Sequence, residues 1–204
     1  MVDNTPERDR PRETDDPSAG YEAIAQRFVT LRESSRVGAA LVARWAERLP
    51  PGARVLDLGC GAGRPVSELL VARGCEVYGI DASPTLLALF RRRFPTAPTR
   101  CEPVQTSTLF GIAFDAAVAI GLVFLLPPLA QRRLIERVRA ALRPGGRWLF
   151  SAPVERGRWR DVLTGRTCWS LGRRLYRRQL LRAGFREIHE EQDEGGNHHY
   201  DARA

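Results

Sequence analysis

The sequence predicts an α/β fold, an open and mostly parallel sheet with helices on both faces. Three observations predict it. Residues 54–63, Arg-Val-Leu-Asp-Leu-Gly-Cys-Gly-Ala-Gly, run from a short apolar stretch into a glycine loop. Glu76-Val-Tyr-Gly-Ile-Asp81 is a second short apolar stretch that ends on an acid. Phe114-Asp-Ala-Ala-Val-Ala-Ile120 is a third, nearly continuous apolar run. Runs of this length are too short for helices, and near-continuous hydrophobicity marks parallel strands buried on both faces.

The first strand stops at Leu58. Gly59, Gly61 and Gly63 then allow a sharp turn and a close approach of backbone to ligand. Pro65 suits the first turn of a helix carrying Val66, Leu69 and Leu70 on one face, with Gly74 at its C-terminal end. A strand, a glycine loop and a helix together form a nucleotide-site pattern. The position where a dinucleotide fold wants Gly or Ala is Arg64, which weakens the case for a pyrophosphate. Asp57, two residues before the first glycine, repels phosphate and attracts a cation. A ligand with a ribose and a positive centre fits this loop better than one with two phosphates.

Asp81 closes the second strand. It lies 22 residues after Gly59, the spacing at which such a unit returns an acid to ribose hydroxyls. Ser83 and Pro84 cap the next helix, 84–94, which buries Leu86, Leu87, Phe90 and Phe94 before Pro95 ends it. Pro98 to Glu102 make a short third strand. After the fourth strand comes a helix over 129–142, with Leu134, Ile135, Val138, Ala141 and Leu142 inward. Pro144-Gly145-Gly146 turns into a fifth strand, Arg147 to Ala152. The stretch 153–169 breaks the regular pattern and reads as a long loop. Its Trp159 and Trp169 argue against disorder. A helix over 171–183, a strand over Phe185–Glu191 and a terminal strand near His198–Ala202 complete the chain.

These motifs resemble the class I S-adenosylmethionine (SAM)-dependent methyltransferases. Asp57-x-Gly59-x-Gly61-x-Gly63, Asp81 and Leu142-Arg-Pro-Gly-Gly146 carry the likeness, over roughly residues 53 to 152. The resemblance implies a Rossmann-like seven-stranded sheet in the order 3-2-1-4-5-7-6, with strand 7 antiparallel. It implies SAM as cofactor and S-adenosylhomocysteine (SAH) as product. Asp57, Gly59, Cys60 (through its backbone), Gly61 and Gly63 would cradle the cofactor, with Asp81 and Ala82 at the ribose. Glu102, Val104 and Gln105 would lie at the adenine, although the family's usual Asp followed by a small residue is here Glu102-Pro103. Ile120 and Gly121 would face the methionine portion, and Leu122, Val123 and Phe124 could equally be plain core. N-terminal helices, one starting near Tyr21 and one with Leu41, Trp45 and Leu49, would cover the cofactor. Tyr21, Arg27 and Arg32 could then reach the site, Arg32 pairing with a carboxylate. The alternative is that these residues form a solvated helix face.

Methyl transfer from a sulfonium needs no metal, and His189, His198 and His199 lack a ligand-spaced carboxylate cluster. If a base removes the acceptor proton, His198 or His199 are candidates. Strand alternation lets at most one of them face the site. Tyr200 could bond an acceptor and Trp159 could stack on one. The alternatives are an exposed terminal strand, core packing and a loop anchor. The tail and the Trp159-Arg-Asp161 and Ser170-Leu-Gly172 stretches resemble a subgroup of small bacterial methyltransferases.

Composition bounds the rest. The 204 residues suffice for one domain, read as 20–204 behind a polar, disordered tail over 1–19. No apolar run reaches the ~18 residues of a membrane span, and no signal peptide is visible. The four cysteines form no CxxC pair, consistent with a reduced cytoplasm. Net charge is +8 and the pI about 10.3, yet every one of the 32 basic residues is Arg. That bias, spread over helix faces, reads as coding composition and disfavours nucleic acid as partner. The resulting expectation is O- or N-methylation of a small-molecule acceptor by a monomer or homodimer. An RNA or protein methyltransferase using the basic surface is one alternative, and a non-catalytic SAM-binding protein another. The stretch Ala119-Ile-Gly-Leu122 lacks the Asn/Asp-Pro-Pro-Tyr/Phe motif of nucleic-acid base N-methyltransferases.

Overall fold

The computed structural model describes residues 16–33 and 35–204. A seven-stranded sheet forms its centre. The strands are β1 (Arg54–Leu58), β2 (Glu76–Asp81), β3 (Thr99–Cys101), β4 (Phe114–Ala119), β5 (Leu142–Ser151), β8 (Arg186–Gln192) and β9 (His198–Arg203). Their order is β3-β2-β1-β4-β5-β9-β8, and β9 runs antiparallel to both β5 and β8. This is the order the motifs imply, with β8 and β9 as the sixth and seventh strands of the sheet.

Pleat alternation explains the two cores. Val55 of β1 points to one face, where Leu41, Val42, Trp45, Leu70, Leu87 and Phe90 meet it. Those side chains come from α2 (Ala39–Ala46), α3 (Val66–Ala72) and α4 (Pro84–Arg93). Leu56 and Leu58 point to the other face, against Leu134, Ile135, Val138, Tyr176 and Leu180. These belong to α5 (Pro128–Ala141) and α6 (Arg173–Ala183). Aromatic rings fill the second layer, with Trp148 stacked on Phe150 at 4.4 Å and Phe150 on Tyr200 at 5.0 Å.

Four departures from the sequence reading have local causes. The first helix, α1, spans Ala25–Glu33, because residues 17–24 wind as turns. Asp16 organises those turns, accepting from Ser18 N at 2.9 Å and Gly20 N at 2.8 Å. Of the tail expected to be disordered, residues 1–15 lie outside the described residues. Residues 16–19 instead dock, with Asp16 3.6 Å from Arg166. The expected loop 153–169 contains a hairpin of β6 (Gly157–Arg160) and β7 (Thr167–Ser170), with Trp159 opposite Cys168. Arginines at alternate positions of β6 hid its period. β5 begins at Leu142, and a register shift between Phe114 and Ala116 absorbs the Pro-Gly-Gly turn.

Among the described residues no helix is long and apolar enough to cross a membrane.

Candidate active site

The C-terminal ends of β1, β2, β4 and β5 open into one cavity of about 830 Å³. That edge is where open α/β sheets bind ligands. The N-terminal segment and α1 cover it from one side, the β6–β7 hairpin and the β8–β9 loop from others. Lining residues include Asp57, Gly59, Cys60, Gly61, Asp81, Ala82, Val104, Gln105, Ile120, Gly121, Tyr21, Arg32 and His199.

The first half of the cavity is built on β1 and β2. Asp81 is fixed by two backbone donors: Oδ2 accepts from Gly61 N at 2.7 Å and Oδ1 from Ser83 N at 2.8 Å. Burial pushes its carboxyl up, and those N–H groups only partly oppose it. Asp57 is 2 % exposed and accepts from Ser67 Oγ at 2.5 Å. Burial dominates there too and raises the carboxyl to about 7. Ser67, a polar residue buried on α3, is a partner the sequence pattern did not single out. The loop after β3 is held from α5, where Arg137 donates to the carbonyls of Val104 at 2.6 Å and Gln105 at 2.8 Å, and to that of Ser107. A helix arginine that reads as surface charge is thus a loop clamp.

The cover is fastened at Glu22. Its carboxylate accepts from Thr85 Oγ1 at 2.6 Å, from Thr85 N at 3.2 Å and from Ser83 Oγ. The N-terminal segment is thereby tied to the start of α4, where a helix N-terminus favours an anion. Tyr21 packs edge-on against Phe28 at 5.0 Å. Burial and the neighbouring Asp161 raise its phenol well above the ordinary value. Arg32 lines the cavity half-buried, and burial depresses its guanidinium while Tyr21 and Asp193 oppose that. No described carboxylate forms an ion pair with it.

The second half of the cavity is more apolar. Phe124, Leu125, Leu126, Leu163 and Trp169 line it, together with Ser151. Gln131, fully buried on α5, donates to the carbonyls of Leu126 at 2.8 Å and Trp169 at 3.0 Å, and accepts from Tyr176 Oη at 2.7 Å. It fastens this wall from behind. His199 stands beside Ser151 across the β5–β9 ladder. Ser151 Oγ in turn accepts from Gly121 N at 2.8 Å.

Several expected site residues lie elsewhere. Trp159 packs on Phe124 at 5.8 Å, 37 % exposed, outside the cavity lining. The hairpin turns alternate residues to opposite sides, so Trp169, not Trp159, faces in. His198 pairs with Glu190 at 2.9 Å, and Tyr200 is fully buried between Phe150 and Tyr176; neither lines the cavity. Gly63 is a packing glycine: a Cβ there would stand 2.4 Å from the Phe94 ring. Glu102 lies off the cavity, 3.7 Å from Arg100. Arg27 does not line it either. Among the described residues no His/Cys/Asp/Glu cluster suits a metal ion.

A mostly parallel sheet ending in an antiparallel strand, with a glycine loop and an acid at adjacent strand tips, defines a class I SAM-dependent methyltransferase. Residues 55–146 match the family described as methyltransferase domain. The chain is 32% identical over 164 residues to a tRNA U34 carboxymethyltransferase of Hahella chejuensis, covering 71% of this chain and 49% of that one. To a trans-aconitate 2-methyltransferase of Variovorax paradoxus it is 37% identical over 126 residues, 61% of this chain and 47% of that one. The chain spans about half the length of these curated relatives. A Burkholderia thailandensis 1,6-didemethyltoxoflavin-N1-methyltransferase, solved with 1,6-didemethyltoxoflavin and SAH bound, shares the fold. The TM-score is 0.65 at 22% identity, over 96% of this chain and 92% of that one.

Proposed function

We propose that this chain binds SAM in the sheet-edge cavity and methylates O or N of a small-molecule acceptor, releasing SAH. The observation that carries the reading is the placement of Asp81. Its carboxylate is pre-oriented by Gly61 N and Ser83 N, beside the glycine loop and inside the one cavity that also receives β4 and β5.

The residues present fit the cofactor. Asp81, with Ala82, takes the ribose hydroxyls. Val104 and Gln105 take the adenine, on a loop that Arg137 holds still. Gly59, the Cys60 backbone and Gly61 pass beneath the ligand, and Asp57 adds negative potential for a cation. Ile120 and Gly121 receive the methionine chain, whose carboxylate pairs with Arg32 under Tyr21. Bound there, SAM supplies an electrophilic methyl group. The protein's contribution is orientation and partial exclusion of water, since Glu22 and Asp16 tether the N-terminal segment beside the site.

A cavity of this volume takes a ligand pair of ordinary size. The space beyond Gly121 is walled in part by Phe124, Leu163 and Trp169, a concave and largely apolar surface that favours a small acceptor over a polymer. Residues 20–204 form one domain on this reading. The named activity of the Hahella relative on tRNA, with a pI of about 10.3 here, supports RNA as the second reading.

Calorimetry with SAM and SAH tests the cofactor, and a metabolite screen with methyl-labelled SAM tests the acceptor. Absence of binding to either nucleoside would defeat the proposal. Steeply salt-dependent RNA binding would move the acceptor to RNA.

A further inference from the structure

The β6–β7 hairpin brings an arginine with unspent donors into the cavity wall. Arg166 lines the cavity beside Leu163, Thr167 and Trp169. Its side chain is 27 % exposed, and its ion pair among the described residues is with Asp16, at 3.6 Å. That separation is longer than a hydrogen bond, so the pairing is through charge alone. The stem is nonetheless packed: a Cβ at Gly20 would stand 3.4 Å from Arg166 Cγ.

The carboxylates nearby are already engaged. Asp16 Oδ1 accepts from Ser18 N at 2.9 Å and Ser18 Oγ at 2.6 Å, and Oδ2 from Gly20 N at 2.8 Å. Asp161 Oδ2 accepts from Thr164 N at 3.1 Å and Thr164 Oγ1 at 2.7 Å, and the group neighbours the Tyr21 phenol. Each holds a turn of its own segment. The guanidinium of Arg166 is left with donors that neither of them fills.

Strand register adds a second cation. Arg158 stands directly opposite Trp169, as Trp159 does opposite Cys168. Residues directly opposite share one face of the ladder, so Arg158 is on the face that Trp169 turns to the cavity. All four residues of β6 are exposed, which places Arg158 at the mouth. Arg160, opposite Thr167, is instead tied back to the carbonyl of Gly165 at 3.2 Å. A largely apolar wall thus carries one cation within it and another at its rim. A neutral acceptor leaves the donors of Arg166 to water. A carboxylate or phosphate matches their planar fork.

We propose that Arg166 is a specificity-determining residue, selecting an acceptor with an apolar body and a carboxylate or phosphate group. Arg158 draws that anion to the mouth of the cavity. This rests on the reading of the cavity as a SAM site with the acceptor beyond Gly121. The body rests on Leu163 and Trp169. The anion turns to Arg166, where it competes with the loosely held Asp16.

The test uses three probes of one shape: naphthoate, naphthyl phosphate and the neutral naphthamide. Each is titrated by NMR into the full chain saturated with SAH. In the parent at low salt, at least one anion should bind about tenfold or more tighter than the amide, and the tighter of the two names the group. Arg166→Gln should bring that anion to within about threefold of the amide, with the amide's own affinity kept. Arg166→Lys should retain part of the preference, since it keeps charge without the fork. Arg158→Gln should weaken the anion by about threefold and flatten its salt dependence. Arg174→Gln, at an exposed arginine of α6, serves as control and should alter nothing. A packing defect would weaken the amide as well, so the ratio of affinities isolates the anion contact. Equal binding of amide and anions in the parent overturns the proposal. So does a preference that survives Arg166→Gln. Probes that all fail to bind the SAH-loaded chain overturn the proposal and leave the cofactor site standing. A parent that does not bind SAH overturns the SAM-site reading itself.

Discussion

Asp57 Oδ2 accepts from Ser67 Oγ at 2.5 Å, the hydrogen bond that holds a carboxylate only 2 % exposed. The bond falls short of compensating burial, and the group is raised to about 7. Asp57 sits under the glycine loop, so its charge state bears on both stability and ligand.

The linkage runs against the usual one for a carboxyl. Between the unfolded value of 3.8 and the folded value of about 7, the native state holds a proton that the unfolded chain has released. Stability from this group is therefore full at low pH and is lost as pH rises through that window. Asp57→Asn removes the dependence. Urea unfolding at pH 5 and pH 8 should show the parent losing more stability than the variant over that interval. Buried His198, whose value is lowered by burial, pulls the parent's curve the other way below its unfolded 6.5 but is common to both proteins. Identical pH slopes in the two would refute the assignment.

The same charge predicts proton release on binding. SAM carries a sulfonium and SAH does not, so SAM should draw Asp57 toward its ionised form. Calorimetry near pH 6.5 in buffers of different ionisation enthalpy should detect more protons released with SAM than with SAH. Equal release would place the positive centre away from Asp57.

Asp81→Ala should weaken SAH binding by about 1.5–3 kcal/mol, roughly tenfold to over a hundredfold. Asp81 also holds Gly61 N and Ser83 N, so some of that loss comes from a loosened loop. Asp81→Asn keeps an acceptor for those N–H groups and should lose less. Parent-like affinity in Asp81→Ala would mean that another group takes the ribose.

The parts of this architecture that were legible in the sequence share a property: the signal is local. Leu56 to Gly63 show a strand and a turn because the backbone there needs burial and then glycine. Ser83-Pro84 shows a helix start because Ser83 Oγ caps Leu86 N at 3.1 Å. Strand period also limited the two terminal histidines to one inward face, and His199 took it. What stayed hidden depends on partners far along the chain. Gln131 reaches Trp169, 38 residues away, and Arg137 reaches Val104, 33 away. Nothing in a helix pattern distinguishes such residues from solvated ones. Trp159 misled because a hairpin's inward face is set by its register with β7, which the sequence does not display. Glu102 misled because the chain turns at Pro103 and carries Val104 and Gln105 inward instead.

Two glycines of the same loop should separate packing from binding. At Gly63, φ is +84° and a Cβ would lie 2.4 Å from Phe94 and 3.0 Å from Phe90. Gly63→Ala should lower the melting temperature by several degrees, a cost of about 1–3 kcal/mol for overpacking and backbone strain. At Gly61, φ is +52° and the nearest atom to a Cβ is in Phe28 at 3.8 Å, across the cavity. Gly61→Val should cost stability through its backbone, yet abolish SAH binding by filling ligand space. Retained SAH binding in Gly61→Val would show that the ligand does not pass close to this residue.

The two tryptophans of the hairpin give the sharpest test of where the acceptor sits. Trp159 lies on the outer side of Phe124, and Trp169 lies inside, its carbonyl held by Gln131 at 3.0 Å. Truncating Trp159 removes half-exposed surface and leaves the cavity wall in place. Truncating Trp169 opens the wall and removes an aromatic face against which an acceptor can rest. With an acceptor identified by methyl-labelled SAM, Trp169→Ala should lower kcat/KM by at least about tenfold, on the order of 1.4 kcal/mol, mostly through KM. Trp159→Ala should change it by less than about threefold. SAH affinity should stay close to the parent's in both, because neither ring lies on the β1–β2 side of the cavity. Gln131→Leu adds a graded case: the ring remains but its carbonyl is released, so its effect should fall between the two. If Trp159→Ala proves the more damaging, the acceptor enters past the outer face of Phe124, and the chamber behind Trp169 is only core.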